Sequence, residues 1–274
     1  NTLGSPTYDT ANSSGLDESF LGRAGAVSEL FDGLLETSLH VGHLRDARRY
    51  KEPLDLADPN LTSQDNRFNS TRTDIQWANT LRLDRFLPDA VRAASVTFGY
   101  QRTMDSIRVS TNSDFGGSPF AQTASASQTA DAVHIGAQAT IADRVTLTGQ
   151  ARNDWSAGRS PATWRVGAVL RAPEIGTDFK AGYGTAFRAP SLFDRFGIDS
   201  FGYRGNPALK PEAAQGWEIG FATRVAGFGR ADFLTVASTY FNQQVADLIA
   251  TQFSPAYTSV NIGSARVQGV ETEI

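Results

Sequence analysis

The chain has 274 residues, of which 25 are Lys or Arg and 29 are Asp or Glu, so its formal net charge is -4. This balance excludes the strongly basic character of most nucleic-acid-binding domains, and we expect no nucleic-acid partner. The absence of Cys excludes disulfide scaffolds, thiol nucleophiles and Cys-ligated metal centres. No apolar stretch approaches the roughly 18 residues that a membrane-spanning helix needs, so a helical membrane protein is also excluded.

Apolar and polar residues alternate with a period of two through most of the chain, which indicates β-strands. The stretch from Thr73 to Asp84, for example, places Ile75, Trp77 and Leu81 on one face and Gln76 on the other. Eleven strands are predicted, and most exceed the usual length of five or six residues. Their cores lie near 20–31, 34–46, 73–84, 94–101, 133–141, 145–151, 164–170, 179–187, 217–225, 230–249 and 257–274.

Short and long connections alternate between these strands. Outer-membrane barrels have this pattern, because short periplasmic turns and long extracellular loops join strands that are apolar towards lipid and polar towards the lumen. We therefore predict an all-β fold, a transmembrane antiparallel β-barrel, with an amphipathic sheet in water as the alternative. Short turns are predicted near 31–33, 87–89, 142–143, 173–176 and 226–229, and long polar connections near 47–69, 105–125, 155–161, 188–212 and 250–256.

Motifs in the second half of the chain carry a family resemblance. Residues 182–194 read GYGTAFRAPSLFD, residues 205–212 read GNPALKPE, and residues 260–274 read VNIGSARVQGVETEI. In this order and at these separations, the motifs resemble TonB-dependent outer-membrane receptors, the vitamin B12 receptor group first and siderophore receptors next. The resemblance covers residues 180–274, whereas only the rhythm of strands and loops supports it before residue 180.

The resemblance implies a receptor in the outer membrane of a Gram-negative bacterium. Such a receptor has a 22-stranded barrel around an N-terminal plug, and TonB transmits the energy that moves the plug. We expect residues 1–274 to be a fragment of one such barrel domain, with about eleven strands and without the plug, the TonB box or the barrel C-terminus. Expected partners of the parent protein are TonB, outer-membrane lipids and a small-molecule ligand. No catalytic constellation is found, so we predict that the chain is not an enzyme.

The segment between Arg188 and Glu212 is the predicted ligand-binding loop. It interleaves aromatic rings, which offer apolar faces, with arginines, which pair with anionic groups, so it suits a large anionic or amphipathic ligand. Ordinary packing at the barrel rim is an equal alternative. The candidate binding residues are Arg188, Phe193, Arg195, Phe201, Tyr203 and Arg204.

A second polar loop is predicted between residues 45 and 69. Its carboxylates Asp55, Asp58 and Asp65 are hard oxygen ligands at short spacing, which suits calcium. The resemblance implies that calcium can order extracellular loops in receptors of this kind. A solvated polar loop without calcium is the favoured alternative. Apart from this candidate calcium ion, we predict no cofactor. His40 and His43 do not predict a metal site, because residues three apart on a strand face opposite ways.

Three classes of function stay open. The first is an energised uptake receptor for a large scarce nutrient, a corrinoid such as vitamin B12 before a ferric siderophore. The second is a passive porin, which would lack a plug. The third is a non-transport β protein such as an adhesin, which would be soluble without detergent.

Overall fold

A computed structural model describes residues 12–56, 61–156 and 160–274. These residues form one antiparallel sheet of eleven strands in chain order, with β1 and β11 at its edges. Within the described ranges, no helix is long and apolar enough to cross a membrane. The strands are β1 (Ser14–Leu30), β2 (Leu35–Glu52), β3 (Thr62–Arg82), β4 (Val91–Phe115), β5 (Pro119–Ile141), β6 (Val145–Ser156), β7 (Ala162–Ala172), β8 (Thr177–Arg188), β9 (Glu212–Gly227), β10 (Arg230–Gln252) and β11 (Thr258–Glu273), and one short helix, α1, spans Leu192–Phe196.

The register of the sheet confirms the predicted division into an apolar and a polar face. Leu81 on β3 pairs with Val96 on β4, which pairs on its other side with Ala137 on β5. The intervening residues point the other way, as Gln76 does opposite Gln101. The apolar face is here called the outer face, and its large side chains are solvent-exposed, as a lipid-facing surface requires. They include Leu39, Phe98, Val133, Ile135, Leu147, Val166, Leu170, Phe179, Ile219 and Phe221.

Aromatic side chains gather on the outer face above this apolar band. The rings of Trp164 and Tyr183 lie 5.2 Å apart between centroids, and those of Trp217 and Tyr240 lie 5.3 Å apart. Trp77 lies on the same face, and its indole N–H donates to the Thr37 hydroxyl at 3.2 Å. Half-exposed Trp and Tyr with a hydrogen-bonding edge are typical of the interface between lipid and water.

Tight hairpins join the strands at one end of the sheet, as predicted. Ala142 and Asp143 have φ values of 49° and 54°, and Phe228 and Gly229 have φ values of 47° and 75°. Two successive residues with positive φ form a turn whose twist matches that of the flanking strands. This end of the sheet is therefore closed by short connections.

The prediction of long loops at the opposite end is wrong for the segments 47–69 and 105–125. Strand β2 continues to Glu52, β3 starts at Thr62, and β4 and β5 are joined by residues 116–118 alone. These extensions are rich in Ser, Thr, Asn and Gln, which the sequence analysis interpreted as loop. Pairing needs only the backbone, however, and the hydroxyls of Thr71 and Ser106 even bond across the strands at 2.7 Å. Within the described part of the chain, the longest irregular connection is 189–211.

Candidate functional site on the inner face of the sheet

The segment 189–211 is here called the inner loop, and the residues directly before and after it form an ion pair. Arg188 at the end of β8 lies opposite Glu212 at the start of β9, and its guanidinium donates to both carboxylate oxygens at 2.7 and 2.5 Å. The backbone N–H of Ile249 donates to the same carboxylate at 2.8 Å. Pro190 and Pro211 flank this base, and proline lacks the N–H that would continue the strand ladder. Arg188 therefore fixes the base of the loop.

The inner loop folds against the inner face of the sheet and not outward into solvent. Helix α1 begins at a Ser191–Asp194 capping box, in which the Ser191 hydroxyl oxygen accepts from the Asp194 backbone N–H and the Asp194 carboxylate accepts from the Ser191 backbone N–H. Behind it, Leu192 and Ile198 are buried against Ile107 of β4. The extension of β4, although rich in polar residues, thus supplies the apolar side chains on which the loop packs. Other members of this cluster are Val109, Phe68, Ala124, Ala126, Phe193 and Phe196.

Tyr203 holds the middle of the inner loop in place. Its side chain is 4% exposed, its ring stacks on Phe193 with centroids 5.2 Å apart, and its hydroxyl bonds the Ser259 hydroxyl of β11 at 2.7 Å. Burial raises the pKa of the Tyr203 phenol, so the phenol stays protonated and able to donate. Phe193 in turn meets Phe68 of β3 edge-on at 6.0 Å.

Further contacts tie the loop to both sides of the sheet. Arg195 donates to the Gln128 side chain of β5 at 2.8 Å, while Asn206 donates to the backbone carbonyl of Ser259 at 3.0 Å. Gly205 lies so close to α1 that a Cβ on it would meet the backbone of Arg195 at 2.4 Å. The loop therefore spans the inner face from β5 to β11.

The six predicted binding residues fall into two groups. Phe201 is 72% exposed, and Arg204 is exposed with its guanidinium 5.8 Å from the Phe120 ring. Arg195 is partly buried and lines the cavity described next. A ligand-binding role for all six residues stays a prediction, but Phe193 and Tyr203 stack on each other and Tyr203 is buried. Arg188 is likewise occupied by Glu212.

A cavity of about 500 Å³ lies between the inner loop and the sheet. Residues from β1 to β6 line it together with the loop, so the sheet curves around it. Its wall combines guanidinium, carboxylate and small apolar groups, which is the mixture found in sites for amphipathic small molecules. The lining includes Arg23, Arg72, Asp74, Gln101, Asp105, Gln128, Ala130, Asp154, Arg195 and Leu209.

A hydrogen-bonded network fixes the polar side chains of this wall. Asp74 accepts from Gln101 at 2.6 Å and from Thr103 at 2.9 Å. Gln101 in turn accepts from Arg152 at 2.9 Å, and Arg152 pairs with Asp154 at 2.7 Å. The network crosses three strands of the inner face, so a ligand would meet preorganised donors and acceptors.

A second cavity of about 880 Å³ lies further along the inner face, towards the short hairpins. Gln76, Thr97 and His134 contribute to its wall, as do Arg165 and Glu218. The last two form an ion pair at 3.0 Å. The inner face is therefore polar at the level of both cavities.

Two of the three calcium candidates, Asp55 and Asp65, lie within the described residues. Asp65 lies on β3, where its carboxylate accepts from Arg49 at 2.8 and 2.6 Å and from Arg67 at 3.3 and 3.1 Å. Asp55 follows β2, and Asp58 lies outside the described residues. In the described ranges, no group of three His, Asp or Glu side chains is placed to hold a metal. A calcium site here stays a prediction.

Comparisons with known proteins agree with this architecture. The family model for the TonB-dependent receptor-like β-barrel matches residues 1–274. The vitamin B12 transporter of Vibrio vulnificus (strain YJ016) is 31% identical over 124 residues, which cover 44% of this chain and 18% of the transporter.

Solved structures show the same fold at low sequence identity. A copper transporter superposes with a TM-score of 0.73 at 14% identity, over 95% of this chain and 44% of its own. The ferric-catecholate import receptor of E. coli K12 superposes with a TM-score of 0.70 at 13% identity, over 97% of this chain and 45% of its own. The chain thus spans less than half of each relative. With the family model matched over all 274 residues, the chain belongs to the TonB-dependent receptor-like β-barrel family.

Proposed function

We propose that this chain forms part of the barrel wall and one ligand-contacting loop of an outer-membrane receptor. The receptor would import a bulky nutrient with energy from TonB. The observation that carries the proposal is the inner loop, which folds against the inner face and covers a cavity of about 500 Å³. The loop joins β8 to β9 at the end opposite the turns at 142–143 and 228–229, and in outer-membrane barrels the longer loops lie at the extracellular end. A ligand arriving from outside would meet it first.

A corrinoid is the first candidate ligand. The vitamin B12 transporter that resembles this chain at 31% identity supports it, and the cavity suits a molecule with both amide and apolar edges. The preorganised Asp74–Gln101–Arg152 network offers donors and acceptors to amides. The exposed Phe201 at the loop offers a ring face to a large planar macrocycle.

A ferric siderophore is the second candidate. The observation that favours it is the set of arginines around the same cavity, because guanidinium groups pair with catecholate and carboxylate oxygens. Arg23 and Arg195 line the cavity, and the exposed Arg204 lies on the loop above. Import of either ligand would require the plug and the TonB-contacting segment of the full-length protein. We propose that the full-length protein binds TonB through that region.

Ala130→Trp is expected to weaken ligand binding at least about tenfold, or 1.4 kcal/mol, in the full-length protein. Ala130 lies on the inner face of β5 and lines the cavity, so an indole there would occupy ligand space. Equilibrium binding of cobalamin and of ferric siderophores to the purified receptor measures the effect.

Ala139→Trp is the matched control, because Ala139 lies on the outer face of the same strand, opposite Leu147. We expect this control to bind like the wild type. If Ala130→Trp also bound both ligands with wild-type affinity while remaining folded, the cavity would not be the ligand site.

A further inference from the structure

Strand β5 extends well beyond its neighbour β6 at the end of the sheet that carries the inner loop. It pairs with β4 up to its first residue, Pro119, whereas its pairing with β6 stops at Ala130, opposite Ser156. Beyond that point, the side of β5 that faces away from β4 is an open sheet edge. Residues 157–159, which follow β6, lie outside the described ranges, so we define the open edge as residues 121–127.

The backbone groups on the open edge belong to the odd-numbered residues of β5. At the hairpin to β4, the Ser118 carbonyl accepts from the Phe115 N–H. At the hairpin to β6, the Ile141 carbonyl accepts from the Arg144 N–H. Because the direction of bonding alternates along an antiparallel strand, even residues of β5 bond to β4 and odd residues face the side of β6. The residues whose N–H and C=O groups face the open edge are Ala121, Thr123, Ser125 and Ser127.

The open edge is accessible and has none of the usual protection. Its four edge residues are exposed, and no other described residue forms a hydrogen bond with their edge-facing backbone groups. Natural sheets protect their edges with charged side chains, prolines or bulges. The segment 119–129 reads PFAQTASASQT, with no charge and with proline only at its start, and its register with β4 has no bulge. The open edge is therefore a template for another strand.

Two arginines of the inner loop lie against inward side chains at the two ends of this segment. Arg195 donates to the Gln128 side chain at 2.8 Å, and the Arg204 guanidinium lies 5.8 Å from the Phe120 ring. Within the ranges covered by the structure, neither arginine forms an ion pair. A strand added beside β5 would therefore be favoured by carboxylates at its inward positions near both ends.

A strand at the open edge is a docked partner and not transported cargo. From Ala130 towards the tight hairpins, β6 already occupies the position beside β5, so an added strand has no path along β5 towards the membrane. The four edge residues also lie outside the lining of the 500 Å³ cavity. The added strand would stay in the plane of the barrel wall.

We propose that the open edge of β5 docks an extended segment of an extracellular protein, which adds one strand to the sheet beyond the end of β6. Backbone hydrogen bonds to the four edge residues hold the segment, and carboxylates at its inward ends meet Arg195 and Arg204. The inference depends on the extracellular placement of this end of the sheet and not on the identity of the imported ligand.

A synthetic, fluorescently labelled peptide of sequence ETVTVTVTE tests the proposal on the detergent-solubilised full-length protein. Its Thr residues lie opposite the four edge residues, and its two Glu residues lie at the inward ends. Saturable binding to the wild type is expected by fluorescence anisotropy. The same peptide N-methylated at its Thr residues cannot donate to the edge, so it should bind at least about tenfold more weakly. A peptide with Gln in place of both Glu residues should also bind more weakly.

Ser125→Pro removes an edge N–H that β4 does not use, so the barrel should stay folded while peptide binding weakens at least about tenfold. Ser125→Ala is the matched control, because it keeps the N–H, and we expect it to bind like the wild type. No saturable binding to the wild type, equal binding of the N-methylated peptide, or wild-type affinity in folded Ser125→Pro would overturn the proposal. Equal binding of the Gln peptide would overturn the role of the carboxylates. Dimers of the wild type that Ser125→Pro abolishes would overturn the assignment to a separate protein and identify a second copy as the occupant.

Discussion

Leu81→Arg and Val96→Arg are each expected to destabilise the folded barrel of the full-length protein by about 2–4 kcal/mol. The two residues form a cross-strand pair on the outer face. Val96 also pairs with Ala137, which lies midway along the apolar outer residues of β5 from Ile141 to Val133. That stretch spans roughly 20 Å of membrane thickness, so arginine at this height would enter hydrocarbon.

The controls are Gln76→Arg and Thr97→Arg on the same two strands. Both side chains line the larger inner cavity, where arginine stays hydrated, and each change is expected to cost less than about 0.5 kcal/mol. Urea titration of the protein folded into lipid vesicles measures the four free energies of unfolding. Equal losses for the outer and inner substitutions would contradict the assignment of the two faces.

Tyr203→Ala is expected to release the inner loop from the sheet. The substitution removes a buried ring stacked on Phe193 and the hydroxyl bonded to Ser259, itself 3% exposed. Loss of a large buried aromatic costs roughly 3 kcal/mol or more, which raises the open population of the loop roughly a hundredfold. Hydrogen exchange of amides in 189–211, such as Gly205 bonded to the Gly197 carbonyl, measures that opening.

Two further variants separate the contributions of the Tyr203 side chain. Tyr203→Phe keeps the ring but leaves the Ser259 hydroxyl unpaired, so we expect a smaller effect of about 1 kcal/mol. Phe201→Ala removes an exposed ring from the same loop and should leave exchange unchanged. Equal exchange in the wild type and Tyr203→Ala would show that Tyr203 does not anchor the loop.

The number of strands and the orientation of their faces could be predicted from the sequence because a period of two survives wherever one face meets lipid. Val133, Ile135 and Ala137 alternate with polar residues, and the register places them on the outer face. Turns with positive φ, such as Phe228–Gly229, are also recognisable from the sequence. Here a glycine lies in the two-residue connection between two strands. Both signals depend on neighbouring residues alone.

The strand extensions were missed because polar composition is a poor measure of loop structure outside the membrane. Strand β4 runs on to Phe115 through a stretch rich in Ser, Thr and Asn. One signal was available: Ile107 and Val109 continue the alternation, and the structure shows both buried under the inner loop. Asp65 was assigned to a loop for the same reason and instead pairs with arginines on a strand.

The inward course of the loop could not be predicted from local patterns. Its anchors join residues far apart in the chain, such as Tyr203 to Ser259 and Arg195 to Gln128. A single sequence contains no information on which distant partners meet. The interleaved aromatics and arginines correctly marked the segment as unusual, but the same residue types serve both packing and ligand contact.

Uptake of radiolabelled cobalamin by cells whose only candidate receptor is the full-length protein tests the central claim most directly. Cells with intact TonB are expected to accumulate the ligand against its gradient, whereas cells lacking TonB should only bind it at the surface. Ferric siderophores, supplied to the same two strains, test the second candidate ligand. The account would be contradicted if neither ligand accumulated in a TonB-dependent way while the receptor was folded in the outer membrane.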